Sequence, residues 1–450
     1  MRFGKALTSA AVISLTACLV LAGVAQAGTT SMVRNLGPGD SFTGDFIAYK
    51  GMLLFTAETG KYGRELWRSD GTWKGTRLVK DIEPGSASSW PRDPVVVDGV
   101  VYFVAGRSKD GRELWRTDGT TKGTRRVIDL KPGSPGSFPT DLTRVGKRLF
   151  FFADDPAKGR SLFRTNGAAK GTLRLTDLGP DSANSSDYEM AAYGGKAFFV
   201  AIRSDTGTEL WVSDGTKAGT RLFKNIVGGQ ASGKPENLTV AAGLLWFSAS
   251  TPSYGREPWR SNGKKSGTRR VGDVMPGTAG SDPFGFTGFR GKAYFSAKGP
   301  VGIGREAWKS DGTQAGTKLL KDIQFGPASS DPSFGSVLSG RLYFRAFKQG
   351  KGEELWRTDG TRAGTTMARD IDKGEPEGNP SGFERVGTNL FFSAEKGGDE
   401  ELWKTTGPRT YRVKDINKSG SSSPARLTRV GKRLFFNADD GIHGQELWMW

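Results

Sequence analysis

The chain repeats itself. The stretch GRELWRSDGTWKGTRLVKDIEPGS at residues 63–86 returns as GRELWRTDGTTKGTRRVIDLKPGS at residues 111–134. The bulky residue of the ELW element recurs at Trp67, Trp115, Phe163, Trp211, Trp259, Trp308, Trp356, Trp403 and Trp448, with successive spacings of 48, 48, 48, 48, 49, 48, 47 and 45 residues. A glutamate stands two positions before it in eight of the nine copies, Ser161 being the exception. So regular a register means that one supersecondary unit is used repeatedly, each burying its apolar faces against its neighbours.

Each unit reads as four short strands. In the third copy, DLTRV (141–145) passes through Gly146 and Lys147 into RLFFFAD (148–154). A looser loop, DPAKGR (155–160), leads to SLFRTNG (161–167), and the turn AAK (168–170) precedes GTLRLTDL (171–178). Runs of Phe, Leu and Val bounded by Gly, Asn, Asp and Pro are strand and turn signals. The second strand is apolar at successive positions (RLFFF, KAFFV, NLFFS), so both faces of each sheet are expected to be buried. A four-stranded sheet of ~45 residues, covered on both faces and repeated, is a propeller blade.

The phase of the repeat predicts how the ring closes. The last copy stops at GQELWMW (444–450), just after its third strand. Near the other end, SMVRNLGPG (31–39) matches the fourth-strand pattern RLVKDIEPG (77–85). Residues 31–36 are therefore expected to supply the outer strand of the last blade, pairing near residues 446–450. A solenoid would instead need polar capping units. The expected fold is all-β, a closed β-propeller of nine four-stranded blades of ~48 residues, more than the usual range of about four to eight.

The consensus ELW-x-x-DGT-x-x-GT-x-x-V-K-D-I-x-P-G resembles the ELWxxDGT repeat proteins, a bacterial group of exported, propeller-like repeat proteins. The resemblance covers nearly all of residues 28–450. The sequence departs from it at Asn166 and Asn262 in place of the Asp, at Thr406 in TTGPRT, and at Phe163 in place of the Trp. It implies export and a propeller fold, and little about activity.

Residues 1–27 read as a signal peptide: Arg2 and Lys5, an apolar run at residues 6–24, then the small-x-small site Ala25-Gln26-Ala27. A rival reading is lipidation at Cys18, which would leave a second apolar run, residues 19–25, stranded behind the anchor. Cleavage after Ala27 removes the single cysteine, so the propeller at residues 28–450 is expected to be one domain free of disulfides and of any membrane span. It is expected to be periplasmic, cell-surface or extracellular, and monomeric. Of 65 Lys and Arg against 47 Asp and Glu, 63 basic residues remain after cleavage, for a net charge of +16.

The repeated residues read as structural. The aromatic series supplies apolar area where sheets pack. The DGT…GT turn needs an Asp that accepts from the backbone ahead and a Gly at positive φ. One carboxylate per turn falls far short of the about six to eight oxygens that calcium takes. Asp439 and Asp440 in ADDGIHGQ (438–445) are the better calcium candidates, but lack the alternating spacing of a calcium loop. No cofactor is expected. With His443 the one histidine and no mature cysteine, His- or thiolate-based zinc sites and Cys–His pairs are excluded. Paired carboxylates for glycoside hydrolysis remain a second reading. Glu65, Glu113 and their equivalents, however, recur blade by blade, whereas an active site needs an exception to the symmetry. The most irregular loops, residues 154–160 and 397–403, hold no recognisable constellation.

Charge is more telling. In a four-stranded blade the first-to-second and third-to-fourth turns share one face of the disc. On that face the third-to-fourth turns carry Lys74, Lys122, Lys170, Lys217, Lys264, Lys265, Arg362 and Arg409. The first-to-second turns add Lys50, Lys147, Arg148, Lys196, Arg290, Lys292, Arg341, Lys432 and Arg433. These 17 basic residues face six acidic ones, a net +11. The long-loop face holds Asp154, Asp155, Asp181, Asp187, Glu375, Glu377, Asp399, Asp439 and Asp440 and is near balance. The expected function is a non-catalytic exported binding or scaffold module for an anionic polysaccharide, another glycan or a surface protein. Its candidate ligand-binding residues are Lys74, Lys122, Lys170, Lys217, Lys264, Lys265, Arg362, Lys147 and Lys432. Nucleic acid would bind only non-specifically. The alternative is a carboxylate-dependent polysaccharide-degrading propeller.

Overall fold

A computed structural model describes residues 28–178, 189–374 and 376–450. The proposed signal peptide, Cys18, Asp181, Asp187 and Glu375 lie outside the described residues. Nine four-stranded antiparallel sheets follow one another around the chain. In the first blade the strands are Gly44–Tyr49, Met52–Thr59, Gly63–Ser69 and Arg77–Lys80, and the pattern holds through the eighth. The first strands of adjacent blades contact one another, so they form the innermost ring of the propeller.

The ninth blade is closed as the repeat phase requires. Its chain-consecutive strands are Ala425–Val430, Arg433–Asp439 and Gln445–Met449; the fourth is Ser31–Arg34. Ser31 lies opposite Met449, Met32 opposite Trp448 and Arg34 opposite Leu447. Leu53, Phe55 and Trp67 of blade one then pack with Phe435, Leu447 and Met449 of blade nine.

Nine apolar clusters fill the nine blade-to-blade seams. Each combines alternate residues of two neighbouring sheets, as Leu54 and Leu66 of blade one do with Phe103 and Trp115 of blade two. This is why the second strand is apolar at successive positions through its middle: its even and odd residues serve different seams. The aromatic series (Trp67, Trp115, Phe163, Trp211, Trp259, Trp308, Trp356, Trp403, Trp448) is 4–8% exposed. The residue after each aromatic points into the other seam. Arg68 donates to the Gly119 carbonyl of the next blade at 2.9 Å, Arg116 to Gly167 at 3.0 Å and Arg357 to Gly407 at 3.2 Å.

Between the aromatics lies a polar lock. The eight repeated glutamates (Glu65, Glu113, Glu209, Glu257, Glu306, Glu354, Glu401, Glu446) are fully buried. Glu65 accepts from the backbone N–H groups of Ile82, Glu83 and Ser89, each at 3.1 Å, and from the Ser89 hydroxyl at 2.6 Å. Glu257 does the same with Val274, Met275 and Ser281. Each carboxylate thus satisfies the irregular connection that carries the chain to the next blade. At the clasp, Glu446 takes the N–H of Leu36 at 3.3 Å and the Ser41 hydroxyl at 2.9 Å, so the residues before blade one complete the same lock.

Two tests follow from closure and the lock. Deleting residues 29–37 exposes the edge of the last blade and should lower the melting temperature and produce concentration-dependent association in light scattering; sharp, unshifted melting would exclude the clasp. Glu257→Ala leaves the Val274 and Met275 N–H groups and the Ser281 hydroxyl without an acceptor and should cost on the order of 3 kcal/mol in chemical denaturation.

The locks also set a pH dependence. Burial pushes Glu65, Glu257, Glu306, Glu354 and Glu446 up from 4.5 to about 7 despite their donors. The fold therefore favours the neutral form. That contribution is fully present below about 4.5 and is lost as pH rises through about 7. The melting temperature should fall between pH 5 and pH 8, and a rise over that window would contradict the assignment.

Candidate functional site

The DGT…GT turn is built from side-chain bonds. In blade one Asp70 Oδ1 accepts from the Thr72 N–H at 2.9 Å and the Thr72 hydroxyl at 2.7 Å. The Thr72 Oγ1 accepts from the Gly75 N–H at 2.9 Å, and the hydroxyls of Ser69 and Thr76 pair at 2.7 Å. Gly71 has φ +89°, and a Cβ on Gly75 would lie 1.9 Å from Asp70 Oδ1. Both glycines of the motif are thus required, one by conformation and one by space. Asp118, Asp214, Asp311 and Asp359 repeat the arrangement, and the bond from the following threonine holds each below the usual carboxylate range. Asn166 and Asn262 keep one such bond, to the N–H of Ala168 and of Lys264.

These aspartates serve their own turns, and the cations beside them are left to solvent. Lys74, Lys122, Lys170, Lys217, Lys264, Lys265, Arg362, Lys147 and Lys432 are all exposed. The two sets of short turns share a face: Arg433 donates to the carbonyls of Gly51 and Asp70, and Arg290 to those of Gly340 and Asp359. Part of the basic surplus therefore staples blades together. In every ion pair among the described residues, the carboxylate belongs to a long connection or to a strand end beside one. The nine candidate cations have no such partner among the described residues. One aromatic accompanies them: Trp73, in the turn of blade one, is 63% exposed under the Arg34 guanidinium, 4.4 Å from its ring centre.

The calcium candidates sit otherwise. Asp439 Oδ1 accepts from Gly441, and Asp440 accepts from the N–H groups of Ile442 and His443 and meets His443 Nδ1 at 2.8 Å. Their oxygens close the loop. A cluster that sequence reasoning did not single out is Asp399, Glu401 and Asp415, whose carboxylate oxygens lie within 4.8 Å of one another. Arg412 bridges Asp399 and Asp415, and Glu401 takes its lock donors from Ile416, Asn417 and Ser422.

The other face opens on the channel mouth. At the start of most first strands the ladder slips, and a left-handed residue marks the bulge: Asp45, Asp93, Asp141, Asn237, Gly285, Gly382 and Arg426. Loss of water contact among the crowded inner strands pushes Asp93 and Asp141 up, Asp45 adding to the first and Asp93 and Glu189 to the second. Four successive blades thus place carboxylates in one field.

No protein-family model matches this chain, and no curated protein matches it in sequence. Several solved structures are distantly similar. The crystal structure of puromycin hydrolase aligns at 14% identity and a TM-score of 0.40, over 78% of this chain and 58% of that one. The chain thus spans under two thirds of that protein's length. The β-propeller domain of the Trilobed protease from Pyrococcus furiosus aligns at 13% identity and a TM-score of 0.34, over 73% of this chain and 99% of that one. An uncharacterised protein from Listeria monocytogenes EGD-e aligns at 9% identity and a TM-score of 0.39, over 85% and 97%.

Proposed function

We propose that the protein is an exported, non-catalytic binding module of the ELWxxDGT type that holds an anionic polymer on its short-turn face. One observation carries the reading: the nine candidate cations of that face are exposed and without ion-pair partners among the described residues, while the aspartates of the DGT turns beside them are committed to their own turns. Lys74, Lys122, Lys170, Lys217, Lys264 and Lys265 come from successive blades, so they form an arc of like charge whose potentials sum. A long acidic polysaccharide or comparable polyanion can touch several blades at once and gain from multivalency. Trp73 adds a flat apolar surface beside the arc. Nothing in these turns reads bases, so nucleic acid would bind without regard to sequence.

Affinity drawn from released counterions falls steeply with salt. Changing Lys74, Lys122, Lys170 and Lys217 together to Gln should lower the salt concentration that elutes the protein from a heparin matrix. Elution at unchanged salt would sink the reading.

A further inference from the structure

We infer that Arg64 and Arg426, at the channel mouth on the long-loop face, clamp the carboxylate of an acidic sugar whose ring packs on Trp90 and Phe42. The site lies on the opposite face from the lysine arc and does not rest on it.

The third-strand arginines do not all find the same partner. The third strand begins with an arginine in several blades, and in three of them a carboxylate neutralises it. Arg160 meets Asp154 at 3.2 Å, Arg256 meets Glu236 at 2.8 Å, and Arg305 meets Asp331 at 3.7 Å. Arg112 of blade two has no such partner and lies 5.9 Å from the Phe138 ring centre, and Arg64 of blade one likewise has no carboxylate within 4.0 Å among the described residues. Instead it turns toward Gly44, where it is joined by Arg426 of blade nine. A Cβ on Gly44 would lie 3.0 Å from Arg64 Nη2 and 3.3 Å from Arg426 Nε. Two guanidiniums therefore converge on one spot that the absent side chain leaves free, and Arg426 likewise has no carboxylate partner among the described residues.

Two planar cations held together without a counter-charge fit a carboxylate, which a guanidinium fork engages with two parallel bonds. Asp45 stands one hydroxyl away: Thr56 Oγ1 donates to Asp45 Oδ2 at 3.3 Å and accepts from Arg64 Nη2 at 3.5 Å. It orients Arg64 without neutralising it.

The same corner is rich in aromatics, as is blade six, where Phe284 is 39% exposed with Arg305 4.8 Å from its ring centre. The residue that begins each first strand's approach is Phe42, Trp90 and Phe138 in blades one to three, but Lys234, Asp282, Asp331, Asn379 and Ser423 in blades five to nine. Phe42 is 50% and Trp90 49% exposed, and Arg64 lies 5.5 Å from the Trp90 ring centre. Exposed rings beside a cation pair suit a ligand with an apolar face and a single negative charge, as a uronic acid has. Asp93 and Asp141 continue the rim and accept hydroxyl donors. Their charge also disfavours a densely sulfated chain, which separates this ligand from the polyanion of the other face.

The test is isothermal titration of the full chain with trigalacturonate, and with maltotriose as a neutral trisaccharide. Trigalacturonate should bind at one site, at least about tenfold more tightly than maltotriose. Gly44→Ala pushes the guanidiniums apart without touching either, and Arg426→Gln removes one. Each should weaken binding about tenfold or more at an unchanged melting temperature. If one variant fails to fold, the other decides. The four-lysine variant should bind trigalacturonate like the parent. The inference is overturned if the parent does not bind trigalacturonate, binds maltotriose equally, keeps its affinity in the folded variants, or loses it in the four-lysine variant.

Discussion

Eight of the nine blades are held to the next by a buried carboxyl group that receives the N–H groups of an irregular connection, flanked by apolar seams on either side. Burying an unpaired donor is costly, and the carboxyl group removes that cost, while the donors offset only part of the cost of burying its charge. With Glu65 accepting four hydrogen bonds, the chain can leave one sheet and enter the next without regular secondary structure. The ring uses this arrangement at eight of its nine joints, Ser161 of blade three being the exception, and at the clasp Leu36 and Ser41 bring their donors to Glu446. Closure therefore completes both the sheet and the polar lock.

The two faces of the disc differ because their turns differ in length. Short hairpin turns have room for one aspartate, which the turn itself consumes, so the lysines beside it stay unpaired. Long connections bring strands and loops from two blades together, and there opposite charges find one another: Arg126 reaches Asp110 and Asp129, and Arg412 reaches Asp399 and Asp415. Net charge is thus concentrated by geometry as much as by composition. The channel mouth belongs to the paired face, yet Arg64 and Arg426 converge there with no carboxylate partner among the described residues.

Much of this was legible in the sequence. The period, the blade count and the clasp all follow from spacing, and the burial of both sheet faces follows from second strands that are apolar at successive positions. The turn chemistry of Asp70, Gly71 and Thr72 was legible too, because its partners lie within six residues. The glutamate series was visible as a repeat and assigned to structure, but its role was not, because its donors stand 17 to 24 residues away. The basic residue that follows the aromatic in seven of the nine copies was not legible for the same reason: where it reaches the next blade, as Arg68 and Arg116 do, its acceptor is a carbonyl 51 residues on. Trp73 was overlooked within its turn.

The sequence by itself determined what recurs: the strands, the turns, the phase that closes the ring and the side on which lysines gather. Repetition encodes these because each is a local pattern read many times. Only the tertiary structure decided which cations are spent on carbonyls or carboxylates and which are free, since that depends on neighbours one blade away. It alone brought Arg64 beside Arg426, 362 positions apart in the chain, over a glycine that neither of them adjoins.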